Sequence, residues 1–335
     1  MNYPGESIVL HLNNSPFSTR AWRENWWKEW GSDIEGQRVV GERSCESIFY
    51  LHRYQWRYLP IKSLQFIGTG DRCLSTPRAE YLALPSDANV GLLDSLFEVE
   101  WTEAVFRDLV AGQESYELLL FWARTREMYL RTIHTDSAYQ ISLKGDFSGY
   151  LSRLGPNTRL KLYNRRKRLT SMGSVREELW SVAPFLELLN QFHSKRWGTP
   201  CFNSRSLRFQ RRFLADIVQE GGRPELRVLM VNGEPVSGLY NLVLGGCVYN
   251  IQSGFLENYG KDIALGTLHL GYALEDAFAC QGPAWFDLLA GQGKNTDYKR
   301  HLATHETPLV SLMIVRHPFY RFMYRMLDWW KSFRF

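Results

Sequence analysis

Trp22, Trp26 and Trp30 recur every fourth residue, which sets three indoles on one face of a helix, and Gly31 follows as a stop. Runs of strand character come next: VVGER (39–43), SIFYLHRYQW (47–56) and SLQFIG (63–68), each bounded by turn residues. With SPFSTR ahead of it, this spacing predicts a helix followed by an antiparallel meander. The stretch 92–109 reads as a helix with its acidic positions outward, and YELLLFWAR (116–124) as a buried strand, which completes one mixed unit by about residue 145.

The order then repeats. Pro156–Arg168 predicts a basic helix, and two more helices run over Ala183–Trp197 and Ser206–Glu220, the last ended by Gly221-Gly222. In residues 225–255 the pairs Asn232-Gly233 and Gly245-Gly246 are hairpin turns between apolar runs, so a three-stranded meander is expected. A loop through Asn258–Lys261 leads into a helix starting near Leu265 or Gly266, and AWFDLLAG (284–291) is a buried strand. LVSLMIV (309–315) has strand character and precedes a stripe of Phe319, Phe322, Met323, Met326, Leu327 and Trp330 at helical spacing. That stripe suits either packing on a core or lying on an anionic membrane surface, with Arg321, Arg325 and Lys331 beside it.

At 335 residues the chain exceeds a usual single core, and 44% hydrophobic content with 14% aromatics supplies two. The expected division is 1–150 and 151–335. The start MNYPGESIVLHLNN lacks a basic segment followed by a long apolar one, and no stretch nears 18 apolar residues, so a cytoplasmic protein is expected. Five widely spread cysteines, with no C-x-x-C pair, read as reduced thiols rather than metal ligands.

Charge adds an asymmetry. Residues 1–150 carry 15 Lys and Arg against 20 Asp and Glu, whereas 151–335 carry 25 against 15. The densest cationic run is Arg159, Lys161, Arg165, Arg166, Lys167 and Arg168. It is a solvated helix face or a site for a polyanion, and Arg159, Tyr163 and Arg166 share one face under uniform helical spacing. The glycine-bearing loop Gly260–Thr267, between a strand and a helix, offers free N–H groups and a positive helix end to a pyrophosphate. It is neither a P-loop nor G-x-G-x-x-G.

Taken with that basic helix and FDLLAG, the chain resembles the GNAT acyltransferase superfamily. Within it the likeness is to CelD-like or BioF-like acetyltransferases, relatives of the FemAB peptidyltransferases. The resembling stretches are residues 17–31, 68–85, 157–169, 185–198, 226–243, 249–268 and 286–299. The most specific is the last, in which Phe286, Asp287, Gly291, Tyr298 and Lys299 meet a family pattern; His193, Arg196 and Trp197 meet another. Where members often show Ser-Pro-Gly before the helix, this chain has Ala264-Leu265-Gly266.

The resemblance implies an α/β (α+β) fold of tandem GNAT-like units, each a mixed, largely antiparallel sheet flanked by helices, with the N-terminal unit degenerate. It implies transfer of an acyl group, foremost acetyl from acetyl-CoA or another acyl-CoA co-substrate, without a metal. The acceptor would be an amine on a sugar, amino acid or cell-envelope precursor, since the CelD-like branch is associated with exopolysaccharide production. Such chemistry needs a proton acceptor for the amine and an acid for the departing thiolate. Tyr298 is the candidate acid, and Asp287 either acts as base, orients the acceptor or pairs with Lys299. His193, Arg196, Trp197, Tyr240 and Lys299 are candidate acceptor contacts, with Glu257 as a further base. Gly260, Lys261, Leu265, Gly266, Thr267, Arg159 and Arg166 are candidate donor contacts. Two other readings stay open: FemAB-like transfer from aminoacyl-tRNA, although no inserted heptad arm is present, and a non-catalytic accessory protein held at the inner face of the membrane by its C-terminal helix.

Overall fold

The computed structural model describes residues 14–34, 38–39, 48–291 and 294–333. Its first elements are helix α1 (Arg20–Trp30), strands β1 (Arg38–Val39), β2 (Phe49–Trp56) and β3 (Leu59–Phe66), helix α2 (Val90–Ser95), strand β4 (Glu103–Val110), helix α3 (Glu114–Thr125) and strand β5 (Tyr129–Ser142). Next come helices α4 (Phe147–Arg153), α5 (Pro156–Arg159) and α6 (Arg166–Ser171), with a π-helical turn over Leu160–Asn164 between the last two, and strand β6 (Val175–Leu179). Helices α7 (Val182–Trp197) and α8 (Ser204–Asp216) precede strands β7 (Arg223–Val231), β8 (Glu234–Leu244) and β9 (Cys247–Phe255). Helix α9 (Leu265–Ala279), strand β10 (Trp285–Ala290), helix α10 (Lys294–Leu302), strand β11 (His305–Val315) and helix α11 (Pro318–Ser332) complete the order.

Mixed sheets flanked by helices are present, as expected, but the chain is not cut once at residue 150. It divides into a first unit, residues 22–136 with the segment from Pro308 on, and a second, Ser137–Thr307 with the segment ending at Ala21. The physical reason is that β5 and β11 each begin in one unit and end in the other. In the first unit the strand order is β1-β2-β3-β4-β11, with β3 and β4 parallel and the other neighbours antiparallel. In the second it is β5-β10-β9-β8-β7-β6, with β9 and β10 the parallel pair.

Two expected elements of the first unit differ. Of the stretch 92–109 only residues 92–95, the end of helix Val90–Ser95, are α-helical, and Glu103–Val110 is a strand buried on both faces, so it lacks the polar alternation that marks a half-buried strand. YELLLFWAR lies in helix α3, where Leu119, Trp122 and Ala123 are buried at i, i+3 and i+4 while Phe121 faces out. An apolar run of that length has no periodicity that separates strand from helix. The tryptophan face of α1 is core: Trp22, Trp26 and Trp30 are buried, and Trp22 Nε1–H donates to the Gly68 carbonyl at 2.9 Å. Of VVGER only Val39 belongs to a described strand; residues 40–43 lie outside the described residues, as does Cys45.

The second unit follows its sequence more closely. Asn232 (φ 53°) with Gly233 (φ 84°), and Gly245 (φ 56°) with Gly246 (φ 76°), make the two left-handed hairpin turns of the meander. Helix α9 packs on the sheet through Leu268, Leu270, Ala273 and Leu274, all buried. Its Gly271 meets the π-helical turn so closely that a Cβ there would lie 2.0 Å from the Leu162 carbonyl oxygen. Gly271→Ala is therefore expected to force the 156–171 segment off α9 and to lower unfolding free energy by about 1–3 kcal/mol, read as an earlier urea midpoint. An unchanged midpoint would show that the two segments do not pack in this way.

Candidate functional site

Both units place a hairpin, then a helix, then a strand parallel to the hairpin's second strand, and among the described residues they differ in how far that second strand runs on past the parallel pairing. In the first unit β3 ends one residue past its last parallel partner, Gln65 opposite Val105. In the second, β9 and β10 pair at Trp285↔Cys247, Phe286↔Val248 and Asp287↔Tyr249, after which β9 runs six residues further and β10 three without pairing to each other. The kink lies at Leu289, whose φ of 58° is costly for a side chain other than glycine. Asp287 holds it, one carboxylate oxygen accepting the Leu289 N–H at 2.7 Å and the other facing Gln140 Nε2 at 3.5 Å. Lys299 Nζ donates to the carbonyls of Leu289 (3.3 Å) and Ala290 (2.6 Å), and the register of β10 on β5 slips between Asp287 and Ala290.

Helix α9 starts beside the parting ends, because it follows β9. Its N-cap is Ala264, which offers no side-chain cap, so the N–H groups of the first turn face outward without one. The equivalent helix α2 of the first unit is only six residues long and is capped by Asn89, which accepts the Leu92 N–H at 3.1 Å. A cleft of about 440 Å³ lies at the α9 N-terminus. Gly155–Thr158 and Lys161 form one wall, Thr267 the helix end, and Tyr298, His301 and Leu302 of α10 the other wall. Tyr298 sits at the rim, 36% exposed, and burial raises its phenol pKa above the usual value, so it keeps its proton throughout the neutral range.

The other expected residues fall into separate places. His193, Arg196 and Trp197 gather at the C-terminal end of β9: His193 Nε2–H donates to the Ser253 carbonyl (2.9 Å), and its ring centroid lies 4.5 Å from that of Trp197. Burial lowers the His193 pKa, assisted by the charge of Arg196, so the ring is neutral. Arg196 pairs with Glu257 (2.6 Å) and lies over Phe255 and Trp197, which commits Glu257 to that pair. Gly266 lets α9 approach the same place, since a Cβ there would lie 2.5 Å from the Phe255 ring.

Three expectations are corrected by burial. Asp287 is fully buried inside the sheet and does not line the cleft, so its carboxylate shapes β10 instead of meeting substrate. Tyr240 is also fully buried and donates to Gln210 Oε1 at 2.9 Å, which makes it core. Arg166 is turned away from the cleft: it pairs with Glu275 and lies 3.9 Å above the Tyr272 ring. The π-helical turn ends the uniform spacing that put Arg159 and Arg166 on one face. Lys299 is held by the two carbonyls above, and Leu265 is buried beneath the helix end. Gly260 and the exposed Lys261 stand in the preceding loop and, like Arg159, are not among the cleft lining. Uniform spacing does not single out Thr158, Lys161 or His301; Pro156 at the first position of α5 is the sequence signal that places Thr158 and Lys161 near a helix start. Among the described residues no cluster of three or more His, Cys, Asp or Glu could hold a metal ion.

Comparisons bear on the same half. Residues 156–300 match the family model described as acetyltransferase (GNAT) domain. The structure is similar to that of FemX, with a TM-score of 0.58 and 11% identity, covering 96% of this chain and 98% of that one. It is also similar to a conserved protein of unknown function from Bacteroides thetaiotaomicron (TM-score 0.54, 8% identity, 93% and 96% covered). A third likeness is to the C-terminal domain of a protein described as a lysylphosphatidylglycerol synthetase from Agrobacterium fabrum (TM-score 0.53, 11% identity, 96% and 93% covered). These are likenesses of fold. No curated protein matches significantly.

A Ser-His-Glu arrangement also lies in the second unit. His269 Nε2 is 3.0 Å from Glu177 Oε1, and Nδ1 is 2.9 Å from Ser237 Oγ. The ionised Glu177, whose pKa the partners His269 and Arg227 lower against its burial, places the proton on Nε2, so Ser237 O–H donates to Nδ1. Ser237 and His269 are wholly buried, so no substrate reaches them and the group serves to seat α9 on the sheet. Burial lowers the His269 pKa below its ordinary 6.5. A histidine whose folded pKa is depressed contributes stability that is complete above the unfolded value and lost as pH falls through the folded one. Urea midpoints are accordingly expected to be flat above about pH 7 and to decline as pH drops below 6.5, with a shallower decline in His269→Gln. An identical slope in the variant would remove His269 as the titrating group.

Proposed function

We propose that this chain, a transferase whose residues 156–300 match a GNAT acetyltransferase domain, moves an acyl group, in the first instance acetyl, from coenzyme A to an amine. The observation that carries the reading is the parted pair β9–β10 with the uncapped N-terminus of α9 at its mouth. Phosphates of the donor would lie on the first-turn N–H groups of α9 and on Lys161 at the cleft. The acyl thioester would then reach into the parted strands. The amine nitrogen attacks the thioester carbon, a C–N bond forms, the C–S bond breaks, and the leaving thiolate takes the Tyr298 phenol proton. Tyr298 and His301, three residues apart on α10, share a face, and the imidazole is the group in the cleft suited to accept the amine's proton. His193, Arg196 and Trp197, at the far end of β9, are the proposed acceptor contacts, and a cell-envelope precursor is the acceptor class we favour.

A second reading, transfer from aminoacyl-tRNA as in FemAB-like proteins, is favoured by the FemX likeness over 96% of the chain. Titration calorimetry with acetyl-CoA separates the two. Acetyl-CoA is expected to bind in the micromolar range, with Lys161→Glu weakening it about tenfold or more. Tyr298→Phe should leave binding unchanged and reduce turnover by about 10²- to 10⁴-fold, the range for loss of a general acid. No binding of any acyl-CoA, together with activity abolished by RNase, would replace the donor by charged tRNA.

A further inference from the structure

Helix α11 is apolar around more of its circumference than its own unit covers. At about 100° per residue, Tyr320, Met323, Tyr324 and Leu327 occupy one arc, and they pack with Ile61, Val105, Met313 and Val315. The adjoining arc carries Phe319, Phe322, Met326, Trp329 and Trp330, which are 53%, 67%, 47%, 55% and 58% exposed. These two arcs meet in an open groove of about 410 Å³ floored by Met323 and Leu327. A helix that only packs on a sheet needs the first arc and gains nothing from the second.

The third arc is cationic. Asp328, its acid, is taken by Arg131 at 2.6 Å. Among the described residues neither Arg321 nor Arg325 has a carboxylate partner: Arg321 donates to the Val315 (3.2 Å) and Glu127 (2.9 Å) carbonyls, and Arg325 lies 5.1 Å over the Tyr129 ring. Residues 316–335 carry four Arg and one Lys against one Asp. The β2–β3 hairpin, which α11 meets where Tyr324 stacks on Trp56, adds Arg57 and a 97% exposed Tyr58 at its tip. No described helix is long and apolar enough to cross a membrane; an exposed aromatic arc beside a cationic one is the pattern of a helix that lies along its surface. A second copy seated on the same face would set Arg321 and Arg325 against their own counterparts.

We propose that α11 docks this protein on the surface of an anionic lipid bilayer, with Phe322, Met326, Trp329 and Trp330 in the interfacial layer and Arg321 and Arg325 against phosphate headgroups. The assignment is independent of which acyl donor the second unit uses. Flotation of the full chain with phosphatidylglycerol-containing vesicles, beside pure phosphatidylcholine vesicles, tests it. Partition onto the anionic vesicles is expected, weakening as salt rises. Arg325→Gln should lower it about fivefold, the fold-change for one basic residue near a charged surface. Phe322→Asp with Trp330→Asp should abolish it, while circular dichroism and the thermal midpoint stay as in the parent, because both side chains are exposed. Absence of anionic-vesicle binding, or binding that the double variant keeps, overturns the proposal. So does a dimer in light scattering that the double variant dissolves while vesicle binding is absent, which would assign the face to a second copy.

Discussion

A parallel strand pair that parts in the middle of a sheet is a costly object, because every backbone group on the opened edge loses its ladder partner. The second unit keeps it by one local device. The Asp287 carboxylate accepts the Leu289 N–H, which holds Leu289 in the left-handed region and turns β10 away from β9. Lys299 then takes the two carbonyls that the turn would orphan. An aspartate and a lysine that resembled chemistry in the sequence are thus used to build the opening, and the cleft beside it is lined instead by Tyr298 and the uncapped helix end.

The two units make the same point by contrast. Their strand orders share a hairpin, a helix and a parallel pair, but β3 stops where its pairing stops, and α2 is short and closed by its own asparagine cap. Among the described residues the first unit thus lacks the long free end of the hairpin's second strand and the uncapped helix start that border the cleft at α9. In that unit Arg78 pairs with Asp108 and Asp136, and Arg72 with Glu103.

How much of this the sequence disclosed depended on how local the cause was. The hairpin turns at Asn232-Gly233 and Gly245-Gly246, the tryptophan face of α1 and the start of α9 are dictated by residues within a few positions, and each stands where spacing put it. The strand at Glu103–Val110 and the helix at Glu114–Thr125 depend on burial of both faces and on neighbours distant in sequence, so periodicity assigned them the wrong way round. The unit boundary was hidden for the same reason, since β11 joins β4 across about 200 residues of chain. Of the residues singled out in the sequence, Tyr298 and Thr267 line the cleft, whereas the depth of Asp287 and Tyr240 is a tertiary fact.

Charge needs the same discrimination. The excess of Lys and Arg in residues 151–335 suggests a broad polyanion surface, yet much of it is matched inside the unit. Arg166 pairs with Glu275, Arg168 with Asp262, Arg196 with Glu257, and Arg227 with Glu177, Glu225 and Asp276. Whatever each pair adds to stability, it cancels a long-range field that net charge counts in full. At the cleft itself the relevant charge is Lys161 beside an uncapped helix end, where a positive side chain and the helix dipole act on the same space. In the proposed reading an anionic donor is drawn by a few oriented groups at α9, while within the basic run Arg166 pairs with Glu275 of that helix and Arg168 with Asp262 of the loop before it.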